Sequence, residues 1–473
     1  MLFSSPLFLY LFLPVTILVF YLIRKELKNT VLLFASLIFY AWGGVSYSAI
    51  LVLSILLNYL FGYLISLKKG TKLFLGLGVG INLGVLVVFK YADFIVENLN
   101  NLFLNLDIKP IGQPHILLPI GISFFTFQAI SYLVDVYRKE VAYQKNLINL
   151  ALYISLFPQL IAGPIVRYHD IAGQLFKRSF SINKFGEGVQ RFIIGLSKKV
   201  LLANNFALIA DEIMDSTYSD LTTPTAWLGI IAYAFQIYFD FSGYSDMAIG
   251  LGKMFGFTFL ENFNFPYISR SIKEFWRRWH ISLSTWFRDY LYIPLGGSRL
   301  SNNRTYINLL IVFILTGLWH GASWSFLVWG LFHGFFLVLE KLGLDKLLNK
   351  TWIPIQHFYT LLVVLIGWVF FRVESIDDAL FFTKRLFVDN TAIESNWMSY
   401  FDSRFIIVFF IGIISSTNFF PWVAAIYDQR ISHYKVMEII TSGFYIIAIG
   451  LLFITCTFYL VAGTYNPFIY FRF

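Results

Sequence analysis

The chain has one cysteine, Cys456, in 473 residues, which leaves no disulfide framework and no cysteine-based metal site within one chain. Cys456 lies inside a late apolar run and reads as a small buried hydrophobe. Charge is equally scarce: 13% of residues are Asp, Glu, Lys or Arg, against about a quarter in a soluble globular domain. From Tyr306 to Leu339 there is no charged residue at all. No long polar linker separates the apolar runs, no repeat recurs at a fixed period, and no glycine-rich phosphate loop is present. A soluble domain, a repeat array and an inverted-repeat transporter are thereby disfavoured.

What is present is apolar and aromatic: 58% hydrophobic, 20% aromatic, with a mean hydropathy of +0.69. This is the composition of an all-α polytopic membrane protein, read as a single transmembrane domain over residues 1–473 with its distinctive region at 266–324. Apolar runs near 6–23, 30–42, 46–67, 72–90, 116–137, 147–165, 188–213, 225–250, 306–320, 323–340, 355–372, 404–426 and 439–462 predict about ten to thirteen crossings with re-entrant and interfacial pieces. The first run lacks a preceding cationic region and a cleavage site, so it reads as a retained helix. The excess of 36 basic over 27 acidic residues, +9 net, falls in short loops. That pattern fits topology and anionic lipid, and no nucleic-acid partner is expected. With the basic loops 24–28, 68–72 and 138–145 cytoplasmic, the N-terminus is outside and Lys90, at the far end of its span, is expected to snorkel.

Ser271-Ile-Lys-Glu274 fits a capping box and predicts a helix from about Ile272 to Leu291, with Trp276, Trp279, His280, Leu283, Trp286 and Phe287 along one face and Arg277, Arg278 and Arg288 on the other. Such a helix is expected to lie at the membrane interface. The uncharged run that follows would form roughly 50 Å of helix, well beyond a bilayer core of about 30 Å. Its weak point, Thr316-Gly-Leu-Trp-His-Gly-Ala-Ser323, places His320 at a helix break at membrane depth, where irregular backbone needs protein or a water-filled cavity around it. Phe157–Arg167, with two prolines and a glycine, is expected to be broken or re-entrant, either a channel wall or a plain kink. Asp240, flanked by apolar residues, is expected to orient a histidine, pair with a cation or mark a helix end.

Trp276–Arg299 and Leu318–Trp324, together with Phe157–Arg167, Tyr238–Asp246 and the terminal Asn466–Phe473, resemble the signature blocks of the membrane-bound O-acyltransferases, in the bacterial branch that contains alginate and peptidoglycan O-acetyltransferase subunits. The resemblance implies a helical bundle around a central tunnel, His320 as catalytic base and His280 as the second catalytic histidine, orienting substrate or stabilising charge. Trp279, Trp319 and Asp240 are expected to support them. Acyl transfer from a thioester to a hydroxyl needs a base and oxyanion donors, and a buried neutral imidazole suits the first task. No tightly bound cofactor is expected. Acetyl-CoA is the expected donor, its phosphates met by basic residues such as Arg277 and Arg278, with Arg270, Lys273, Arg288 and Arg299 as further candidates. Two histidines without a third ligand predict no zinc site. The implied partner is an extracytoplasmic acetyltransferase that modifies an envelope polysaccharide, and the implied location is the cytoplasmic (inner) membrane. The alternatives are a D-alanyl transfer protein that takes its acyl group from a carrier-protein thioester, and a non-catalytic transporter or lipid scaffold. His333 is expected to be a structural neighbour; His115, His169, His357 and His433 carry no expected role.

Overall fold

The computed structural model describes residues 1–67, 69–216, 218, 221–390, 397–430 and 435–469. The last four residues of the terminal motif, and His433, lie outside them. Among the described residues every regular element is helical. Where water is absent, a helix satisfies its own backbone donors and acceptors, and these apolar runs have no strand partner to do so.

In chain order the helices are α1 (Leu13–Leu22), α2 (Lys28–Ala41), α3 (Val45–Ser66), α4 (Thr71–Asn105), α5 (Ile122–Arg138), α6 (Leu147–Ser155), α7 (Phe157–Leu160), α8 (Tyr168–Phe176), α9 (Ile182–Ser197), α10 (Asn204–Met214) and α11 (Thr223–Met254). They continue as α12 (Ile272–Arg278), α13 (Ile281–Phe287), α14 (Asn302–His320), α15 (Trp324–Leu339), α16 (Asp345–Leu348), α17 (Ile353–Arg372), α18 (Ile376–Arg385), α19 (Ser403–Ser415), α20 (Phe419–Arg430) and α21 (Lys435–Val461). Serine hydroxyls cap several N-termini: Ser271, Ser301 and Ser323 accept from the backbone N–H of Glu274, Arg304 and Phe326 at the starts of α12, α14 and α15.

Among the described residues six helices are long and apolar enough to cross a membrane, or seven if α19 and α20, bent by 63°, count as one span. The apolar runs predicted more. α11, which is not among the six, carries Asp240 and Asp246 and is buried almost from end to end. It is an interior helix, around which α7, α9, α10 and α17 pack. Against α9 it runs backbone to backbone: a Cβ on Gly195 would stand 2.5 Å from the Gly243 carbonyl oxygen, and one on Gly188 would stand 2.7 Å from that of Gly250. Small residues at both contacts allow close approach where hydrophobic driving force between helices is absent. By contrast α4 and α21 expose apolar side chains such as Leu73, Phe444 and Phe458, the outer surface of a membrane-embedded bundle.

At one end of the bundle α5, α8 and the turn after α13 are joined by polar contacts. The buried Asp135 carboxylate accepts from Tyr290 Oη at 2.7 Å and from the His169 backbone N–H at 3.1 Å, and it meets His169 Nδ1 at 3.0 Å. Arg167 bridges Asp170, at 2.8 Å, and Asp289. His169 thus has a structural role that its loop position did not foretell. The hydrogen bond to Asp135 raises the His169 pKa above its ordinary value, with burial opposing it. A raised folded-state value means that the stabilisation is complete below the unfolded value of about 6.5 and is lost as pH climbs through the folded value. The melting temperature of the purified protein is therefore expected to fall as pH rises above about 6.5, and that slope is expected to flatten in His169→Asn; equal slopes in a thermal-shift series would count against the His169–Asp135 contact as its source.

Candidate active site

α14 and α15 form a hairpin in which Gly317 faces Gly330: a Cβ on either would run into the backbone of the opposite helix. The hairpin breaks where the small residues predicted it, at Gly321–Ser323, and His320 is the last residue of α14. A helix that ends inside a membrane leaves its final carbonyls without donors. Here Lys90 and Tyr91, from the middle of α4, supply them. Tyr91 Oη donates to the Leu318 carbonyl, and Lys90 Nζ donates to those of Trp319 and His320, the last at 3.0 Å. Lys90 therefore turns inward and does not snorkel outward. The His320 ring is held among Trp319, Trp329 and Phe371, with centroids at 4.9, 5.1 and 5.0 Å.

His280 is positioned by a different break. The predicted capping residue, Ser271, does start α12, reinforced by the buried Glu340 carboxylate, which accepts from the N–H groups of Ile272 (2.6 Å) and Lys273 (3.0 Å). The predicted helix to Leu291, however, stops at Arg278 and restarts at Ile281. His280 lies between, in the left-handed region at φ 45°. The aromatic stripe is thus folded into the interior, with Trp276, Trp279, His280, Leu283 and Trp286 all buried, and does not lie on the membrane surface. The break is stable because the irregular segment at Asn262–Asn264 replaces the lost helical bonds. Asn262 O accepts from the Ile281 N–H at 2.9 Å, and the Asn264 N–H donates to Arg278 O at 2.9 Å.

Asn262 also fixes the imidazole. Its Oδ1 accepts from Ser282 N (3.2 Å) and Ser282 Oγ (2.8 Å), and stands 3.2 Å from His280 Nδ1. An oxygen already accepting twice can meet Nδ1 only as a further acceptor, so Nδ1 carries the proton and Nε2 presents a lone pair. That Nε2 is buried and has no hydrogen-bond partner among the described residues. The two rings approach to 6.5 Å between centroids. Ser282 Oγ in turn accepts from the Ile165 N–H at 3.0 Å, which makes the Phe157–Arg167 stretch part of the support. That stretch is broken after Leu160, and Ile161 joins Lys90, Gly121, Phe124, Trp319 and His320 around a cavity of about 110 Å³. Wall, more than kink, describes it.

A larger cleft of about 900 Å³ shares Lys90 and Leu118 with this cavity and is lined by Gly321, Ser323 and Arg372. It borders the histidine chamber without touching either imidazole. On the other side of His320 a gap of about 10 Å³, barely one water, lies among Phe241, Trp279, Trp329 and Trp368. The arrangement is thus one imidazole, His320, on the wall of a small chamber, a second, His280, buried 6.5 Å behind it, and an open cleft next to the chamber.

Residues 136–375 match the model of MBOAT, the membrane-bound O-acyltransferase family. The chain belongs to the membrane-bound O-acyltransferase family. It is 48% identical to the protein named "Probable alginate O-acetylase AlgI" of Azotobacter vinelandii, over 80% of this chain and 76% of that one. It is 37% identical to the peptidoglycan O-acetyltransferase of Helicobacter pylori, over 80% of this chain and 78% of the relative. Similarity to the teichoic acid D-alanyltransferase of Bacillus subtilis is lower, 28% over 55% of this chain and 69% of the relative. This member of the O-acyltransferase family is a multi-pass membrane enzyme, and its similarities favour acetyl as the group transferred.

The other expected site residues fall in three groups. Trp319 and Trp279 flank the chamber: Trp319 packs on Phe124 and Phe127, and Trp279 packs on Trp368 at 4.8 Å. Asp240 forms an ion pair with Lys199 at 2.8 Å, both side chains 2% exposed, and accepts from the Ile469 N–H at 2.9 Å. Its recorded partners are therefore a lysine and the C-terminal segment, not a histidine. Arg278 is engaged by Glu274 at 2.8 Å and by the Asn264 carbonyl at 3.0 Å, so it braces the elbow, while Arg277 is exposed. Asn262, Glu340 and Lys199 were missed because nothing near them in the sequence marks them, and Ser282, inside the 276–299 block, because a serine two residues after His280 does not announce its contact with Asn262. Lys90 was noticed only as a topology oddity.

Two outcomes follow from these contacts. Asn262→Ala is expected to lower turnover roughly tenfold to hundredfold at saturating donor, by freeing the imidazole to take the other tautomer, with little change in KM; a change in KM alone would remove Asn262 from the positioning role. Asp240→Asn leaves Lys199 buried without its counter-ion and is expected to cost about 3 to 5 kcal/mol of stability. The double variant Lys199→Met, Asp240→Leu is expected to recover folding and activity, as judged by size exclusion and transfer assay. An inactive but folded double variant would instead give Asp240 a part in the chemistry.

Proposed function

We propose that this enzyme takes acetyl groups from acetyl-CoA on the cytoplasmic side of the inner membrane and hands them to the hydroxyl of an extracytoplasmic partner, for O-acetylation of an envelope polysaccharide of the alginate or peptidoglycan type. The observation that carries the reading is the meeting of the His280 and His320 rings, 6.5 Å apart, with His320 on the wall of a small chamber that adjoins an open cleft and His280 buried behind it. His320 takes the proton of the acceptor hydroxyl as its oxygen attacks the thioester carbonyl. The tetrahedral oxyanion then collapses, the C–S bond breaks, and the proton passes to the departing thiolate. His280, held as the Nδ1–H tautomer, offers an Nε2 lone pair to orient the acceptor hydroxyl.

Charge at the cleft supports a protein intermediary. Leu118, at the end of the bundle opposite the basic 138–145 loop, lines the cleft, which puts its mouth outside by the basic-loop rule. Asp211, Asp215, Glu374 and Asp378 outnumber Lys90 and Arg372 among its lining residues, a field that repels an anionic polymer and admits a neutral or basic hydroxyl-bearing segment. The D-alanyl reading draws on the less similar relatives and on a different donor, a carrier-protein thioester.

The test is transfer of labelled acetyl from acetyl-CoA by the purified enzyme with its partner. His320→Ala is expected to reduce it about a thousandfold or more, with the variant still folded, and His280→Ala about a hundredfold. Wild-type enzyme that fails to turn over acetyl-CoA with the partner present would overturn the donor assignment in favour of a carrier thioester. Full turnover by His320→Ala would remove the histidine mechanism.

A further inference from the structure

Away from the histidine chamber, a cavity of about 390 Å³ lies where the turn before α2 meets the start of α6 and the end of α8. Its lining includes Lys25, Lys28, Asn29, Asn149, Gln174 and Arg178. Arg178 has no carboxylate partner among the described residues. One terminal nitrogen donates to Asn29 Oδ1, the other donates to Gln174 O at 3.2 Å, and the guanidinium rests on Phe257 at 4.0 Å. Its Nε is buried without a hydrogen-bond partner. Lys28 likewise meets aromatic rings in place of an acid: Phe20, Tyr21 and Phe180 lie 4.4, 4.9 and 4.6 Å from its ammonium. Among the described residues, the only acidic one in the lining is the exposed Glu26. Burial lowers the Arg178 pKa to about 10, and burial and then the Arg178 charge lower that of Lys28. Each is the signature of a cation left without its counter-charge.

Partly buried like charges around an open space are unfavourable until an anion joins them. No side chain caps the N-terminus of α2, whose first residues line the same cavity, so its dipole adds to the attraction. The surrounding surface is apolar and exposed: Leu22 is 77% exposed, Phe176 69% and Ile182 89%. Basic groups set among exposed apolar side chains place the cavity at the membrane interface, on the side of the basic loops.

We infer that this cavity binds a phosphate group, seated between Lys28 and Arg178 and supplied by an anionic membrane lipid whose chains run along the exposed apolar side chains. The site is independent of the acetyl-transfer reading. Lysine supplies a point charge and arginine a planar guanidinium whose two terminal nitrogens each keep a second N–H, a combination suited to a phosphodiester.

The experiment uses full-length enzyme in a phosphate-free detergent buffer, with native mass spectrometry and thermal shift as readouts. Phosphatidylglycerol is expected to remain bound and to raise the melting temperature, and to bind about tenfold more weakly to Arg178→Gln and to Lys28→Gln. Arg178→Lys is expected to keep part of the affinity. Protection by inorganic phosphate, lost in the same variants, would also support a phosphate site and would assign its supply to water instead of lipid. Equal phosphatidylglycerol binding by wild type and by both folded glutamine variants, or no protection by either probe, would overturn the inference. Should Arg178→Gln fail to fold, Lys28→Gln decides.

Discussion

Backbone that leaves the helix inside a membrane must find its hydrogen bonds from protein, and the histidine site is built around that requirement. Both histidines sit where a helix stops. At His320 the exposed carbonyls of α14 are taken by Lys90 and Tyr91 from α4; at His280 the interrupted turn is taken over by Asn262 and Asn264, with Glu340 closing the start of α12. Each satisfying group comes from a distant part of the chain. The break that exposes an imidazole and the contact that rigidifies it are therefore the same feature. Left-handed backbone at a bulky residue is costly, and it persists at His280 because these contacts over-determine it.

Charge is handled by the same logic. The buried carboxylates of α11 are neutralised by neighbours on the adjoining segment: Asp240 by Lys199, Asp246 by Arg191 and Lys198 at 2.6 and 2.7 Å. These pairs fasten the central helix to α9 and its extension, and through Ile469 they hold the C-terminal segment against the wall shared by the large cleft and the gap beside His320. With the acids occupied in this way, the imidazoles face aromatic edges. Their chemistry is then set by each other and by whatever enters the chamber.

Much of this was legible in the residues. Small residues around His320 told of a helix break, and the prolines and glycine of Phe157–Arg167 told of another, because both signals are local. The elbow at His280 was not legible: Lys-Glu-Phe-Trp-Arg-Arg-Trp-His-Ile-Ser has no helix breaker, and three- to four-residue spacing of aromatics argued for continuity. Asn262 overrides that propensity from outside the segment, which no local pattern records. Apolar composition does not separate lipid-facing helices such as α21 from interior ones such as α11, since both are rich in the same residues. Asp240 was recognised as needing a partner, but a lone sequence does not say that the partner is forty-one positions earlier.

The histidine pair by itself does not choose an acyl group, because attack of a hydroxyl on a thioester is the same reaction whatever the acyl chain. Discrimination has to come from the walls. The chamber beside His320 is about 110 Å³, bounded by Phe124, Ile161 and Trp319 and closed at the far side by a gap of about 10 Å³. That is room for a few waters or one small acyl group, and close-packed aromatic walls do not expand cheaply. A long acyl chain directed toward that gap would have to displace Trp329 or Trp368, both 1% exposed. An aminoacyl group would need a partner for its ammonium in a chamber whose lining, among the described residues, holds no carboxylate. The tight aromatic side and the lack of a carboxylate in the lining both favour a small uncharged acyl group, on grounds independent of sequence identity.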